Sequence, residues 1–283
     1  MPQSSIILST ADHSRDSAGM TYVYPVVSRR AGGVSIGINL NPNNACNWRC
    51  IYCQVPNLTR GGPPPIDLGL LARELDTMLD DLLTGDFLAR RVPAAQRRLV
   101  DIAFSGNGEP TSAREFPEAV TIASEALGRR HLLHGVRLRL ITNGSLMDRR
   151  SVCHGLELLG KAQGEVWFKV DAADARSLGR INGTRTDIEA IRRRLEVCSA
   201  LCPTWAQTCL FKLDGHPLSP AELNALIDFL GAQRATIRGV RIYGLARPSA
   251  QVEAPRLSPV PEAWLNQVAK RLRDQGLTVE VSP

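Results

Sequence analysis

Strand-like and helix-like segments alternate along most of this 283-residue chain, and that alternation limits what it can fold into. "VSIGINL" (34–40) reads as a strand. "DLGLLARELDTMLDDLL" (67–83) carries apolar residues at helical spacing, with Asp67 as N-cap. Strand 98–104 precedes helix 116–127, strand 136–142 precedes helix 148–159, and strand 166–172 precedes a helix over 187–201 that stops before Pro203. Strand 204–213 precedes a helix over 219–233 with Ser219 as N-cap and Pro220 in its first turn. Strand 240–246 precedes a helix over 261–276 closed by Gly276, and "LTVEVS" makes a last short strand. These are six β-then-α units. Right-handed crossovers turn such units into a parallel sheet covered by helices. Six units fall short of the eight that close a full barrel. The expectation is therefore a partial, open (β/α)6 barrel of the TIM-like type, with a doubly wound sheet as the alternative. In either one, ligands gather where strands end at their carboxyl side.

Composition is that of a soluble globular protein: 43% hydrophobic and 22% charged residues. No apolar run approaches the length of a membrane helix. The first residues hold only the short run Ile6-Ile7-Leu8 with no basic flank before it, so a cytoplasmic protein without a secretory leader is expected. The net charge of +6 comes largely from scattered arginine pairs such as Arg29-Arg30, Arg97-Arg98 and Arg129-Arg130. A basic balance permits a nucleic-acid or phosphate partner, but scattered pairs read as solvated helix faces. The Pro/Gly stretches at 60–66 and 247–261 read as surface loops.

Three of the seven cysteines, Cys46, Cys50 and Cys53, lie within eight residues directly after the first strand. A structural zinc would need a fourth ligand, and no second cysteine or histidine pair at zinc spacing follows. A buried trio of structural thiols fits poorly with the polar neighbours Asn47, Arg49 and Gln54. An iron–sulfur cubane has four irons, and three thiolates leave one of them open. Cys198, Cys202 and Cys209 are the material for an auxiliary cluster, although the helix carrying the first two ends at the wrong end of the barrel, and buried structural thiols are the simpler reading.

Other motifs fall after other strands. "SGNGEPTS" (105–112) brings glycines that allow close backbone approach to a ligand, and "TNG" (142–144) is a turn dipeptide in context. In "VWFKVDA" the alternation places Val166, Phe168 and Val170 toward the helices and Trp167, Lys169 and Asp171 in the lumen. A buried lysine and carboxylate need each other or a ligand. On the last full strand Arg241, Tyr243 and Arg247 share a face, and on the one before it so do Gln207 and Cys209.

The pattern Cys-x3-Cys-x2-Cys, with the aromatic Tyr52 before the last cysteine, resembles the signature of the radical S-adenosylmethionine (SAM) superfamily. The resemblance implies that Cys46, Cys50 and Cys53 hold a [4Fe-4S] cluster whose fourth iron is chelated by the amino and carboxylate groups of SAM. It implies reductive cleavage of SAM to a 5′-deoxyadenosyl radical that abstracts hydrogen from a substrate, and a partial (β/α)6 barrel. It also implies cofactor contacts from Tyr52, Gly106, Gly108, Glu109, Asn143 and Asp171, the last on the ribose hydroxyls, with Lys169 as a candidate catalytic residue or partner of the methionine carboxylate. An external one-electron reductant such as a flavodoxin or ferredoxin is a further implied partner.

"SRRAGGVSIGINLNPNNACNWRCIYCQ", "SGNGEPT", "VWFKVDA", "RIN" and "YGLARP" together resemble the wyosine-synthase-like branch, from about residue 22 to the end. This implies a core over 22–283 with an N-terminal extension over 1–21. The best-known members modify tRNA with pyruvate and carry a second cluster on upstream cysteines, whereas no cysteine here precedes Cys46 and no flavodoxin-like segment is present. The substrate, a small molecule or RNA, stays open. A zinc-containing nucleic-acid-binding protein is the alternative from outside the enzymes.

Overall fold

The computed structural model describes residues 7–8, 18–28 and 32–283. The Arg29-Arg30 pair and most of the 1–21 extension lie outside the described residues. In chain order the elements are β1 (Val23–Ser28), β2 (Gly33–Ile38), β3 (Ala45–Cys46), β4 (Thr59–Arg60), α1 (Leu68–Leu83), α2 (Phe87–Arg91), β5 (Leu99–Phe104) and α3 (Phe116–Arg129). They continue with β6 (Arg137–Thr142), α4 (Arg150–Lys161), β7 (Glu165–Lys169), α5 (Ala175–Asn182), α6 (Ile188–Leu201), β8 (Thr204–Leu213) and α7 (Pro220–Ala232). The last are β9 (Gly239–Gly244), β10 (Leu257–Pro259), α8 (Glu262–Asp274) and β11 (Val279–Ser282).

The sheet runs β1-β2-β5-β6-β7-β8-β9-β11, with β10 added against β8. From β2 to β11 every neighbouring pair is parallel, while β1 and β10 are antiparallel to their partners. Side chains alternate across this sheet. Ile36, Ile38, Ile102, Phe104, Leu138, Leu140, Val166, Phe168, Val240 and Ile242 are buried in the core, on the parity that meets the helices. The opposite parity, from Ser35 and Asp101 through Arg139 and Trp167 to Cys209 and Tyr243, lines one common cavity. Strands as far apart as β2 and β9 face the same space, so the sheet is curled into the expected partial barrel. It stays open, because β1 and β11 end the strand order without pairing to each other.

The helices cover the outer face by the expected spacing. Leu71, Leu75, Met78, Leu79 and Leu82 form the buried stripe of α1, and Asp67 caps it by accepting the Leu70 N–H. Ser219 and Glu222 form a complete capping box on α7. Gly276, at φ +83°, follows the end of α8 in the conformation that glycine adopts freely.

Besides the short pieces β3, β4 and α2, three further elements were not legible in the sequence. β1 contains Pro25, which argues against a strand unless it lies at an edge, and β1 does lie at the edge. α5 is a short, polar helix without a long apolar repeat. β10 is three residues long and forms only because β8 is there to pair with it.

The N-terminal edge is held by Glu74, a buried carboxylate on α1. Its Oε1 accepts the Thr21 N–H at 2.7 Å, and its Oε2 accepts those of Tyr22 and Val23 at 2.7 and 3.2 Å. Replacing it with alanine orphans three backbone donors. Glu74→Ala should therefore lower unfolding free energy by about 2–4 kcal/mol in urea titrations, with Glu74→Gln losing less.

Candidate functional site

The site begins at the carboxyl end of β2, where the chain leaves the sheet as an asparagine-rich loop. The Asn44 N–H turns back to the Asn41 carbonyl at 3.1 Å, and Asn44 takes a left-handed φ of +56°. The Asn41 side chain donates to the Ala45 carbonyl at 3.0 Å. β3 and β4 then pair in parallel across the base of the loop. A tight turn closes the stretch that follows, as the Cys53 N–H reaches the Cys50 carbonyl at 3.0 Å. The result presents Cys46, Cys50 and Cys53 as free, half-buried thiols on the wall of a cavity of about 310 Å³.

Burial pushes the Cys46 thiol up to about 11 and the Cys50 thiol up to about 12. Without a metal both are held as neutral thiols at physiological pH, and a metal would displace their protons. Among the described residues no three His, Cys, Asp or Glu side chains converge as ligands of a single ion. The three thiols line the mouth separately.

Tyr52, Gly106, Gly108, Glu109, Asn143 and Lys169 line the same cavity as the cysteines. Glu109 is 2% exposed. Its Oε1 accepts from the Thr111 N–H at 3.1 Å, the Thr111 hydroxyl at 2.7 Å and the Thr142 hydroxyl at 2.6 Å, and its Oε2 accepts the Asn143 N–H at 2.7 Å. All these donors are neutral. Burial raises the Glu109 carboxyl above its ordinary range, against the pull of those hydrogen bonds. Asn143 in turn donates to the Asn47 side chain at 2.8 Å, so Glu109 and the cysteine loop are joined through it.

The glycines of "SGNGEP" are also required by packing inside the protein. A Cβ at Gly106 would sit 2.3 Å from Asn39 Oδ1, and one at Gly108 would sit 2.1 Å from the Ala45 carbonyl. Their smallness lets the β5 loop pack under the cysteine loop.

Asp171 is placed differently from the rest. It is absent from the cavity wall and lies behind Tyr52, with its carboxylate taken up by protein donors. Oδ2 accepts from the Tyr52 hydroxyl, in a short bond, and from Asn182 Nδ2 at 2.6 Å; Oδ1 accepts the Cys209 N–H at 2.9 Å. Lys169 Nζ stands 3.8 Å from the same carboxylate and donates to the Tyr52 hydroxyl at 2.7 Å. Burial is the largest single influence and pushes the Lys169 ammonium down, but its neighbours together, the Asp171 carboxylate foremost, outweigh it and hold the group well above its usual range. Lys169 is thus a fixed cation in the wall.

Of the other strand residues, Tyr243, Arg247 and Cys209 line the cavity, and Arg247 donates to the Gln54 side chain at 2.9 Å. Gln207 instead donates to the Trp167 carbonyl at 3.1 Å. Arg241 is stacked between Trp167 and Trp205, with its guanidinium carbon 4.3 and 4.7 Å from the two ring centres. Trp48 is buried and lines the cavity. Cys198 and Cys202 are buried at the opposite end of the barrel, where Cys198 meets Thr204, the first residue of β8, and Cys202 meets the carbonyl of Gly164, the residue before β7. Cys209 is at the cavity, so the three form no common site.

Two features were not foreseen. The barrel floor is an ion network in which Arg139 contacts Asp101 and, at 2.7 Å, Glu165. Its sequence signal was charges at lumen parity inside otherwise apolar strands. The stretch 247–253, read as a surface loop, straps the cysteine loop. Cys53 offers its carbonyl to the Ala250 N–H at 2.9 Å and the Ser249 hydroxyl at 3.1 Å, and Arg49 pairs with Glu253 at 2.9 Å.

The model of the Radical SAM superfamily matches residues 40–230, well over half of the chain. The chain belongs to the radical SAM superfamily. That family implies an iron–sulfur cluster and SAM, and the three thiols on one cavity wall are of the right kind for the first. A radical SAM methyltransferase from Sphaerobacter thermophilus shares the fold, with TM-score 0.57 and 14% identity over 88% of this chain and 66% of that one. HydG, a maturase of the [FeFe]-hydrogenase, does so with TM-score 0.55 and 10% identity over 84% of this chain and 48% of that one. Among curated proteins, UPF0026 protein MJ1312 of Methanocaldococcus jannaschii is 27% identical over 58% of this chain and 44% of its own length. GTPase Obg of Brachyspira hyodysenteriae is 25% identical over 45% of this chain and 16% of its own. The matches therefore span less than half of either curated relative. No helix among the described residues is long and apolar enough to cross a membrane.

In metal-free protein, Cys50 should be alkylated slowly by iodoacetamide at pH 8. Its rate should climb about tenfold per pH unit toward pH 10, because only the thiolate reacts. Peptide mass spectrometry after timed quenching reads this directly, and a plateau below pH 9 would contradict the burial of that thiol.

Proposed function

We propose that residues 22–283 form a radical SAM enzyme core in which Cys46, Cys50 and Cys53 hold a [4Fe-4S] cluster. The observation that carries this reading is the shared wall: three half-buried thiols face the same cavity as Glu109, a buried carboxylate whose hydrogen-bond donors are all neutral. Such a carboxylate is costly to bury alone and gains from an ammonium beside it. Held by Cys46, Cys50 and Cys53, such a cluster would supply the one-electron reductive cleavage of SAM and, through it, hydrogen-atom abstraction from substrate.

This chain's residues bind and orient. Glu109 receives the SAM ammonium, while the Gly106 to Gly108 loop and Asn143 shape the neighbouring wall. Lys169 offers a fixed positive charge to the methionine carboxylate. Tyr52 and Trp48 give apolar cover on the adenine side and exclude water. Asp171, with its oxygens engaged by Tyr52, Asn182 and Cys209, acts from behind the wall by holding Tyr52 rather than by meeting the ribose. A reducing compartment such as the cytoplasm and a flavodoxin- or ferredoxin-type donor suit this chemistry.

Within the superfamily the quoted segments support the wyosine-synthase-like branch, with the substrate a small molecule or an RNA. An assay combining tRNA and pyruvate separates a wyosine-type modifier from its relatives.

Anaerobically reconstituted protein should be brown and should release 5′-deoxyadenosine from SAM under dithionite, as read by liquid chromatography. Cys50→Ala should abolish both colour and product. Glu109→Gln should keep the cluster but raise the KM for SAM about ten- to hundredfold, the loss expected for one charge-assisted contact. Stoichiometric zinc with no iron uptake would sink the reading.

A further inference from the structure

The "RIN" segment, residues 180–182, is given no role by the function proposed above. It forms the last turn of α5, which Gly183 closes with a left-handed φ of +61°. The final carbonyls of a helix have no partner inside it. Here two of them hold the cysteine loop. The Ile181 carbonyl accepts the Ile51 N–H at 2.9 Å, and the Asn182 carbonyl accepts the Arg49 N–H at 3.1 Å. These two residues flank Cys50. Arg60 closes the contact by donating to the Gly183 carbonyl at 2.5 Å. A Cβ at Gly183 would come within 2.9 Å of the Arg49 carbonyl, so only glycine fits this seat.

The Asn182 side chain completes the grip. It is fully buried, at 0% exposure. Its Nδ2 donates to Asp171 Oδ2 at 2.6 Å and to Cys50 Sγ at 3.3 Å. A primary amide has two N–H groups, and each finds one acceptor. The Asp171 carboxylate also fixes which way the amide faces, since the flipped form would set Oδ1 against a carboxylate oxygen. Oδ1 itself is buried with no hydrogen-bond partner among the described residues. The side chain accepts that cost while keeping its N–H groups on Asp171 and the sulfur.

We infer that the Ile181–Asn182–Gly183 turn is a positioning element for Cys50, and that Asn182 tunes the potential of the cluster through an N–H···S hydrogen bond. The inference rests on the [4Fe-4S] reading above. An N–H donor on a ligating sulfur favours the reduced cluster, which carries the extra negative charge, and so raises its midpoint potential. Asn182 touches neither substrate nor SAM in this assignment; it acts through Cys50.

The test is a redox titration of the reconstituted proteins, followed by electron paramagnetic resonance without SAM. Asn182→Leu, which keeps the volume, and Asn182→Ala should both shift the midpoint to more negative values at unchanged iron content. Potentials equal to wild type in both variants would overturn the inference and leave the cluster reading intact. Wild-type protein that takes up no cluster would overturn both. Should neither variant fold, wild-type protein labelled with ¹⁵N at asparagine side chains decides the matter. Its reduced cluster should show a ¹⁵N coupling in pulsed resonance spectra, and absence of any coupling would count against the bond.

Discussion

Each parallel strand must bury one face under helices, and this leaves the other face to a shared lumen. That constraint governs the whole molecule. With Ile36, Phe104, Leu140, Phe168 and Ile242 in the core, the alternate positions have nowhere to go but inward. The lumen then receives every polar residue that a strand carries at that parity. Near the amino ends of the strands these residues neutralise one another, as Asp101, Arg139 and Glu165 do. Toward the carboxyl ends they meet the loops, and there the cavity opens.

The cysteine loop cannot hold its own shape, since it is polar, rich in asparagine and nearly without regular structure. Its form comes from the surfaces it is pressed between. The glycine loop after β5 supports it from below, with no room for a Cβ at Gly106 or Gly108. The end of α5 holds Arg49 and Ile51, and the strap after β9 holds Cys53 and Arg49. Asp171 is the point where several of these meet, because one carboxylate joins β7 to Tyr52, Asn182 and the β8 backbone. A loop supported from so many sides is preorganised, so its three thiols are held in fixed places on the cavity wall.

How legible was this? The six β-then-α units, the N-caps at Asp67 and Ser219 and the lumen parity of Lys169 could all be read from periodicity and local capping chemistry, which depend only on neighbours in sequence. β1, α5 and β10 could not, since each is stabilised by a partner away along the chain: Glu74 for the first, the cysteine loop for the second, β8 for the third. Asp171 shows the same limit. Its parity showed that it is buried, but parity does not reveal that Tyr52, 119 residues away, takes up its carboxylate.

The sequence by itself determined the alternating fold, the three thiols after the strand that became β2 and the family they mark, because spacing along a strand or a loop is a local property. The tertiary structure alone decided which groups share the cavity and which stand behind its wall. It also decided that the ends of α5 and β9 converge on the cysteine loop. Those contacts join residues more than a hundred positions apart, and only the curl of the sheet brings them within hydrogen-bonding distance.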